Sequence, residues 1–113
     1  MKDPDILLEL LREMANDPYG RMMLFPTFGM DEDKQRRCHH MEILADDGLV
    51  EWLDSTTSAM GKQLPRITSA GHDFIEAADK NPPIEAKFRE GLELGLPLLQ
   101  AVSVAMDLAK KLM

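Results

Sequence analysis

The sequence has one cysteine, few aromatic residues and no long apolar run. A single cysteine, Cys38, excludes a disulfide within the chain and favours a reducing compartment. Charged side chains at Glu9, Arg12 and Glu13 interrupt the first apolar stretch, as no secretory signal would. A membrane-spanning helix needs roughly twenty apolar residues, and no segment provides them. We therefore expect a cytoplasmic protein that does not contact a membrane.

Cations are also scarce: 13 lysines and arginines stand against 20 aspartates and glutamates, which gives a formal net charge of -7. Such a charge repels phosphates at long range and opposes non-specific attraction to nucleic acid. Any DNA contact must then be local. The 113 residues, 44% of them hydrophobic, suffice for one core.

The N-terminal part of the chain predicts a helix followed by a short strand. Asp3 and Pro4 are typical of a helix start, as a side-chain cap and a first-turn proline. Apolar residues then recur at helical spacing up to the breaker at 16–20. They are Ile6, Leu7, Leu10, Leu11 and Met14. The segment 21–28 contains Pro26, which favours an edge strand.

The middle of the chain predicts a helix, a hairpin and another helix. Residues 30–47 have helical periodicity, and Gly48 favours a left-handed stop. Strands are expected at 49–53 and 63–68, joined by a polar loop. Thr68 can cap a third helix that ends at 81–83. The inward residues of the helix at 30–47 are Cys38, Met41, Leu44 and Ala45. The third helix contains His72, Phe74, Ile75 and Ala78.

This order predicts a mainly helical α+β fold, a winged helix with a small antiparallel sheet in residues 1–81. The hairpin would be the wing. One departure is that only the segment 21–28 separates the first two predicted helices. The usual first helix of a helix-turn-helix is therefore absent or reduced.

Residues 82–113 predict a C-terminal helical segment for oligomerisation or packing. Gly91 and Gly95 indicate a bend or a close helix contact, and Pro97 indicates a kink or break. An apolar seam at alternating steps of four and three residues follows, and it either folds back on the first domain or pairs with another chain. We favour a homo-oligomer. The seam residues are Leu98, Val102, Ala105, Met106, Ala109 and Leu112, with Leu99 widening it.

Two segments carry a family resemblance. They are CHHMEILADDGLV at 38–50 and RITSAGHDFI at 66–75. With GLELGLPLL at 91–99, they resemble the phage- and prophage-associated family called domain of unknown function 2513, over nearly the whole chain. That resemblance implies a winged-helix fold and a phage or prophage origin, and it implies no established activity.

Two functions remain open. The first is a dimeric DNA-binding regulator that contacts double-stranded DNA with the first half of the second helix and the wing. Its contact residues would be Lys34, Gln35, Arg36, Arg37, His39, Lys62 and Arg66. The second is a module that binds a host or phage protein, which the acidity, the cation-poor wing and the missing helix favour.

Catalysis, metals and cofactors find no support in the sequence. Cys38, His39 and His40 are adjacent, and neighbouring residues of a helix point about 100° apart, so they cannot readily meet at one ion. Cys38 is expected to be a buried, inert thiol. His40 and His72 are expected to be packed, each with one satisfied nitrogen. No phosphate-binding or nucleophile motif is present.

Overall fold

The computed structural model describes residues 2–21, 32–53 and 64–112. Within these ranges the chain forms five helices and two strands. They are α1 Pro4–Asn16, α2 Glu32–Asp46, β1 Val50–Leu53, β2 Leu64–Ile67, α3 Ser69–Lys80, α4 Pro82–Glu93 and α5 Leu98–Leu112. The mainly helical α+β class with a small antiparallel sheet is thereby confirmed. Most of the predicted strand 21–28 and the loop 54–62 lie outside the described residues.

Helix α1 begins and ends as its sequence predicts. Asp3 caps it by accepting a hydrogen bond from the backbone N–H of Asp5 at 2.9 Å, and Pro4 occupies the first turn. One broad face of the helix is entirely buried. That face consists of Leu7, Leu8, Leu10, Leu11 and Met14. It spans roughly 160° of the helix, so α1 contacts neighbours on more than one side.

Helix α2 turns directly into the hairpin. Its buried residues are His40, Met41 and Leu44. Gly48 has a positive φ of 78°, and the next N–H, that of Leu49, bonds back to the carbonyl of Leu44 at 3.0 Å. This is the glycine-terminated helix end that the sequence predicts.

The two strands pair antiparallel, with Val50 opposite Ile67 and Glu51 opposite Arg66. On the far side of β2, Arg21 forms an isolated antiparallel bridge with Arg66, and the Ile67 N–H donates to the Gly20 carbonyl at 2.8 Å. The segment after α1 therefore meets β2 where the predicted edge strand would start.

Helix α3 starts at the predicted cap, because the Thr68 hydroxyl accepts from the Gly71 N–H at 3.2 Å. The same hydroxyl donates to the Gly48 carbonyl at 2.7 Å and so joins α3 to the end of α2. Gly71 packs against the backbone here. A Cβ placed on it would lie 2.2 Å from the Leu49 carbonyl oxygen, so only glycine fits.

Helices α4 and α5 pack against each other and are joined by a turn that contains a glycine. Gly95 has a φ of 85°, and the Leu96 N–H bonds back to the Gly91 carbonyl at 3.0 Å, which ends α4. The break predicted at Pro97 is confirmed, since α5 starts at Leu98. A Cβ on Gly91 would stand 3.2 Å from the Ala101 Cβ, so Gly91 provides the close helix contact.

The buried side chains of the described residues join in one hydrophobic cluster. It includes α1, α2, α3 and also both C-terminal helices. Phe74 of α3 packs against Phe88 of α4, with ring centroids 4.9 Å apart and the ring planes tilted by 58°. Residues 82–112 are therefore packed onto the rest of the chain.

Replacing Gly71 with alanine should lower the free energy of unfolding by about 1–3 kcal/mol, because the new methyl group collides with the Leu49 carbonyl. Chemical denaturation measures it. His72→Ala, at the exposed neighbouring position, is the control and should have little effect. A Gly71→Ala variant as stable as the original would contradict the close approach of α3 to residue 49.

Leu98→Ala should lower the free energy of unfolding by about 2–5 kcal/mol, because Leu98 is fully buried within the chain. The melting temperature of the original protein should not vary with protein concentration if this burial is intramolecular. Leu99→Ala, on the exposed neighbour, is the control. A melting temperature that rises with concentration would instead indicate that the seam joins two chains.

Candidate functional site

The first half of α2, where the DNA contacts are predicted, projects into solvent. Lys34, Gln35, Arg36 and His39 are exposed, and Arg37 is half-buried. Two open clefts lie beside His39. One, of about 560 Å³, is lined by Glu32, Gln35, Arg36, His39 and His40. The other, of about 380 Å³, is lined by Lys2, His39, Ile43, Leu92, Gly95 and Leu96.

Both arginines of α2 are directed at α1. Arg36 Nη2 lies 3.1 Å from Asp3 Oδ2. Arg37 reaches two carboxylates one turn apart, with Nη2 at 2.7 Å from Glu13 and Nη1 at 3.3 Å from Glu9. The donors expected to meet DNA thus form ion pairs within the chain.

The charged side chains of α2, taken with the carboxylates that pair with its arginines, sum to a negative charge. The helix itself has three cations, Lys34, Arg36 and Arg37. Against them stand four carboxylates of α2 and three that pair with its arginines, two from α1 and one from its cap residue. These carboxylates are Glu32, Asp33, Glu42 and Asp46, with Asp3, Glu9 and Glu13. The surface therefore disfavours a polyphosphate.

The hairpin holds two of the predicted DNA contacts, Arg66 and Lys62, and the structure describes only Arg66. Arg66 is paired with Glu51, its cross-strand neighbour, through both Nε and Nη2. Lys62 lies outside the described residues. Of the predicted set, Arg36, Arg37 and Arg66 are all bound to carboxylates.

His40 is the buried polar residue at the junction of α1 and α2, with 1% of its surface exposed. Its Nε2 accepts from the Asp3 N–H at 2.8 Å, and its Nδ1 donates to the Arg36 carbonyl at 2.6 Å. This pattern requires the neutral tautomer protonated on Nδ1. Burial lowers the pKa of His40, outweighing the hydrogen bond to Arg36. His40 is packed as predicted, with both nitrogens satisfied.

The other reactive groups behave differently. Cys38 is half-buried, and burial raises its pKa, which disfavours the reactive thiolate. The prediction that His72 is packed is wrong, because its side chain is exposed and lies 3.6 Å from Glu76. Its helical position points outward beside the buried Gly71. Within the described residues, no three histidine, cysteine or acidic side chains are grouped so as to hold a metal ion.

The predicted oligomerisation seam is divided by the structure. Leu98, Val102, Ala105 and Ala109 are buried within the chain, and Met106 is half-buried. Leu112 and the flanking Leu99 are 53% and 52% exposed. These four residues therefore pack within their own chain, as in the alternative in which the seam folds back. In this conformation they are not available to a second chain.

Sequence reasoning missed one exposed cluster, in the turn after α1. Tyr19 is 70% exposed, and the guanidinium carbon of Arg21 lies 4.6 Å from the centroid of its ring. The sequence pattern of this segment predicts only a helix breaker followed by a strand. An aromatic residue beside a cation in a turn was the available signal.

Comparisons with known proteins add no relative. A scan against protein-family models, a search of curated proteins and a search of solved structures each return no match. The resemblance to the phage-associated family therefore stays a prediction. Among the described residues, no helix is long and apolar enough to cross a bilayer.

Protein stability should fall as the pH drops below about 6.5, the ordinary pKa of histidine. The fold lowers the pKa of His40, so the unfolded chain takes up the proton first. The stability that neutral His40 contributes is complete above the pKa of histidine in the unfolded chain. It is lost progressively as the pH falls from that value to the lower pKa in the folded protein. Denaturation between about pH 7.5 and pH 5 measures it, before most carboxylates titrate.

His40→Gln is the test variant, because its amide oxygen can accept from the Asp3 N–H without titrating. It should flatten the dependence of stability on pH, whereas His72→Gln, at an exposed site, should not. An unchanged slope in His40→Gln would assign the dependence to other groups.

Proposed function

We propose that this protein is a winged-helix module that acts by binding another protein, and that α2 is not a reader of DNA. The element order and the Arg21 bridge to β2 support the winged-helix assignment. Its resemblance to the phage-associated family supports a phage or prophage origin. No catalytic step belongs to the proposal.

The observation that carries the proposal is the pairing of Arg36 and Arg37 with α1. A base-reading arginine must present its guanidinium fork to a guanine edge. Here Arg37 uses both terminal nitrogens on Glu9 and Glu13, and Arg36 points to Asp3. DNA would have to displace these carboxylates and leave them close to its own phosphates.

Energetics support the same conclusion. Each exposed ion pair is worth only about 0–1 kcal/mol, so breaking the pairs is cheap in itself. The larger cost is the displaced carboxylates, which would face phosphates without a counter-charge. Phosphate contacts supply most of the affinity of DNA-binding proteins, and this surface has few cations to make them.

DNA binding is kept as a second candidate because of one observation. Lys34, Gln35 and His39 are exposed on the half of α2 that a recognition helix presents to the major groove. A regulator would use them together with Arg36, Arg37, Arg66 and Lys62. The first candidate is favoured because this set includes three arginines that are already paired.

Fluorescence anisotropy with duplex DNA separates the candidates. At about 50 mM salt we expect no saturable binding up to about 100 µM protein. A Glu9→Gln and Glu13→Gln double variant releases Arg37 and should gain weak, salt-sensitive binding. The control is Glu90→Gln with Glu93→Gln, which changes the net charge equally on α4. It should gain less.

Duplex binding by the unaltered protein, lost in Arg36→Ala with Arg37→Ala, would replace the first candidate with the second. Crosslinking in cells gives the positive test, with a photoreactive residue in place of the exposed Tyr19. We expect adducts that protease removes and nuclease does not.

A further inference from the structure

The turn after α1, residues 17–21, is built to hold a fixed shape. The Asp17 carboxylate accepts from the backbone N–H groups of Tyr19, at 2.9 Å, and Arg21, at 3.0 Å. These bonds, that from Arg21 first, lower the pKa of Asp17. Gly20 has a φ of 68°, and its carbonyl is bound by Ile67 of β2. The side chains of the turn are therefore carried on an anchored backbone.

Arg21 differs from the other five arginines of the chain, all of which are described. Each of the five forms an ion pair with a carboxylate. Among the described residues, Arg21 has no carboxylate within ion-pair distance, although Asp17 is close enough to interact through its charge. Its guanidinium lies over the exposed ring of Tyr19 instead.

A cross-strand row extends this arrangement. Glu51 lies opposite Arg66, and Arg66 lies opposite Arg21. Like charges directly opposite each other on neighbouring strands are destabilising. Glu51 neutralises Arg66, whereas Arg21 forms no ion pair with any carboxylate of the described residues. A locally unfavourable arrangement of this kind, two arginines on neighbouring strands, is a mark of a functional site.

The chemistry of the row selects the ligand. A guanidinium that forms no ion pair with a described carboxylate suits a single anionic group, and the neighbouring carboxylate of Asp17 would repel a run of phosphates. The exposed ring of Tyr19 offers a flat apolar contact beside the charge. Tyrosine and arginine are the residues enriched at the centres of protein interfaces.

We propose that Tyr19 and Arg21 form a docking surface for a carboxylate-bearing segment of a partner protein, with an aromatic or apolar side chain next to the carboxylate. The proposal rests on the protein-binding function above and assigns it a surface. Arg21 binds the carboxylate, and Tyr19 packs against the neighbouring side chain. Arg66 lies beside them and is held in place by Glu51.

The probe is a random peptide library displayed on phage and selected on the full chain. Selected peptides should share an acidic residue beside an aromatic or apolar one. A synthetic peptide of that type should bind at least about tenfold more weakly to Arg21→Gln and to Tyr19→Ser. Tyr19→Phe, which keeps the ring, should bind like the original protein. The Lys80→Gln variant, which is changed at the C-terminal end of α3, should also bind the peptide like the original protein.

Stability distinguishes docking from a structural role. Arg21→Gln removes a like-charge neighbour of Arg66, so its melting temperature should be unchanged or higher. A large drop would show that Arg21 is structural and would overturn the proposal.

Selection of no peptides, or of peptides without a carboxylate, would also overturn it, as would peptides whose affinity Arg21→Gln leaves unchanged. In that last case protein binding itself would stand. Binding of a single-stranded oligothymidine that Arg21→Gln abolishes would reassign the surface to nucleic acid. The duplex experiment on α2 is independent of all these results.

Discussion

Helix α1 has five side chains, Leu7, Leu8, Leu10, Leu11 and Met14, that are wholly shielded from water. Burying each of these side chains contributes about 1.5–3 kcal/mol to stability. No other described helix has as many side chains that are wholly shielded from water. Helices α2 and α3 and strand β2 all contact α1. Their positions, and those of the helices that pack on α3, follow from covering that one face.

The polar face of α1 then determines which charged side chains form ion pairs within the chain. Its acids hold Arg36 and Arg37 of α2, and Asp5 holds Arg89 of α4. Its own Arg12 meets Asp79 and Glu85. Because these cations form ion pairs within the chain, the helix expected to read DNA presents a mainly acidic surface. Arg21 differs in forming no ion pair with a carboxylate of the described residues.

Much of the fold could be predicted because its signals are local. Asp3, Thr68 and Gly48 specify helix ends through their own side chains or backbone freedom, and all three do so in the structure. The site was harder to predict. Whether Arg37 faces DNA or Glu13 depends on a packing partner 24 residues away, which periodicity does not reveal. Leu98 could equally have met another chain or its own.

The sequence by itself determined the boundaries of α1, α3 and the two paired strands, the mainly helical class and the breaks at Gly48, Gly95 and Pro97. These depend on interactions a few residues apart. Only the tertiary structure decided that the α5 seam is buried within the chain, that both nitrogens of His40 are satisfied and that Tyr19 and Arg21 stand exposed. Each depends on which distant surfaces meet when α1 is covered, and burial and charge pairing are properties of those contacts.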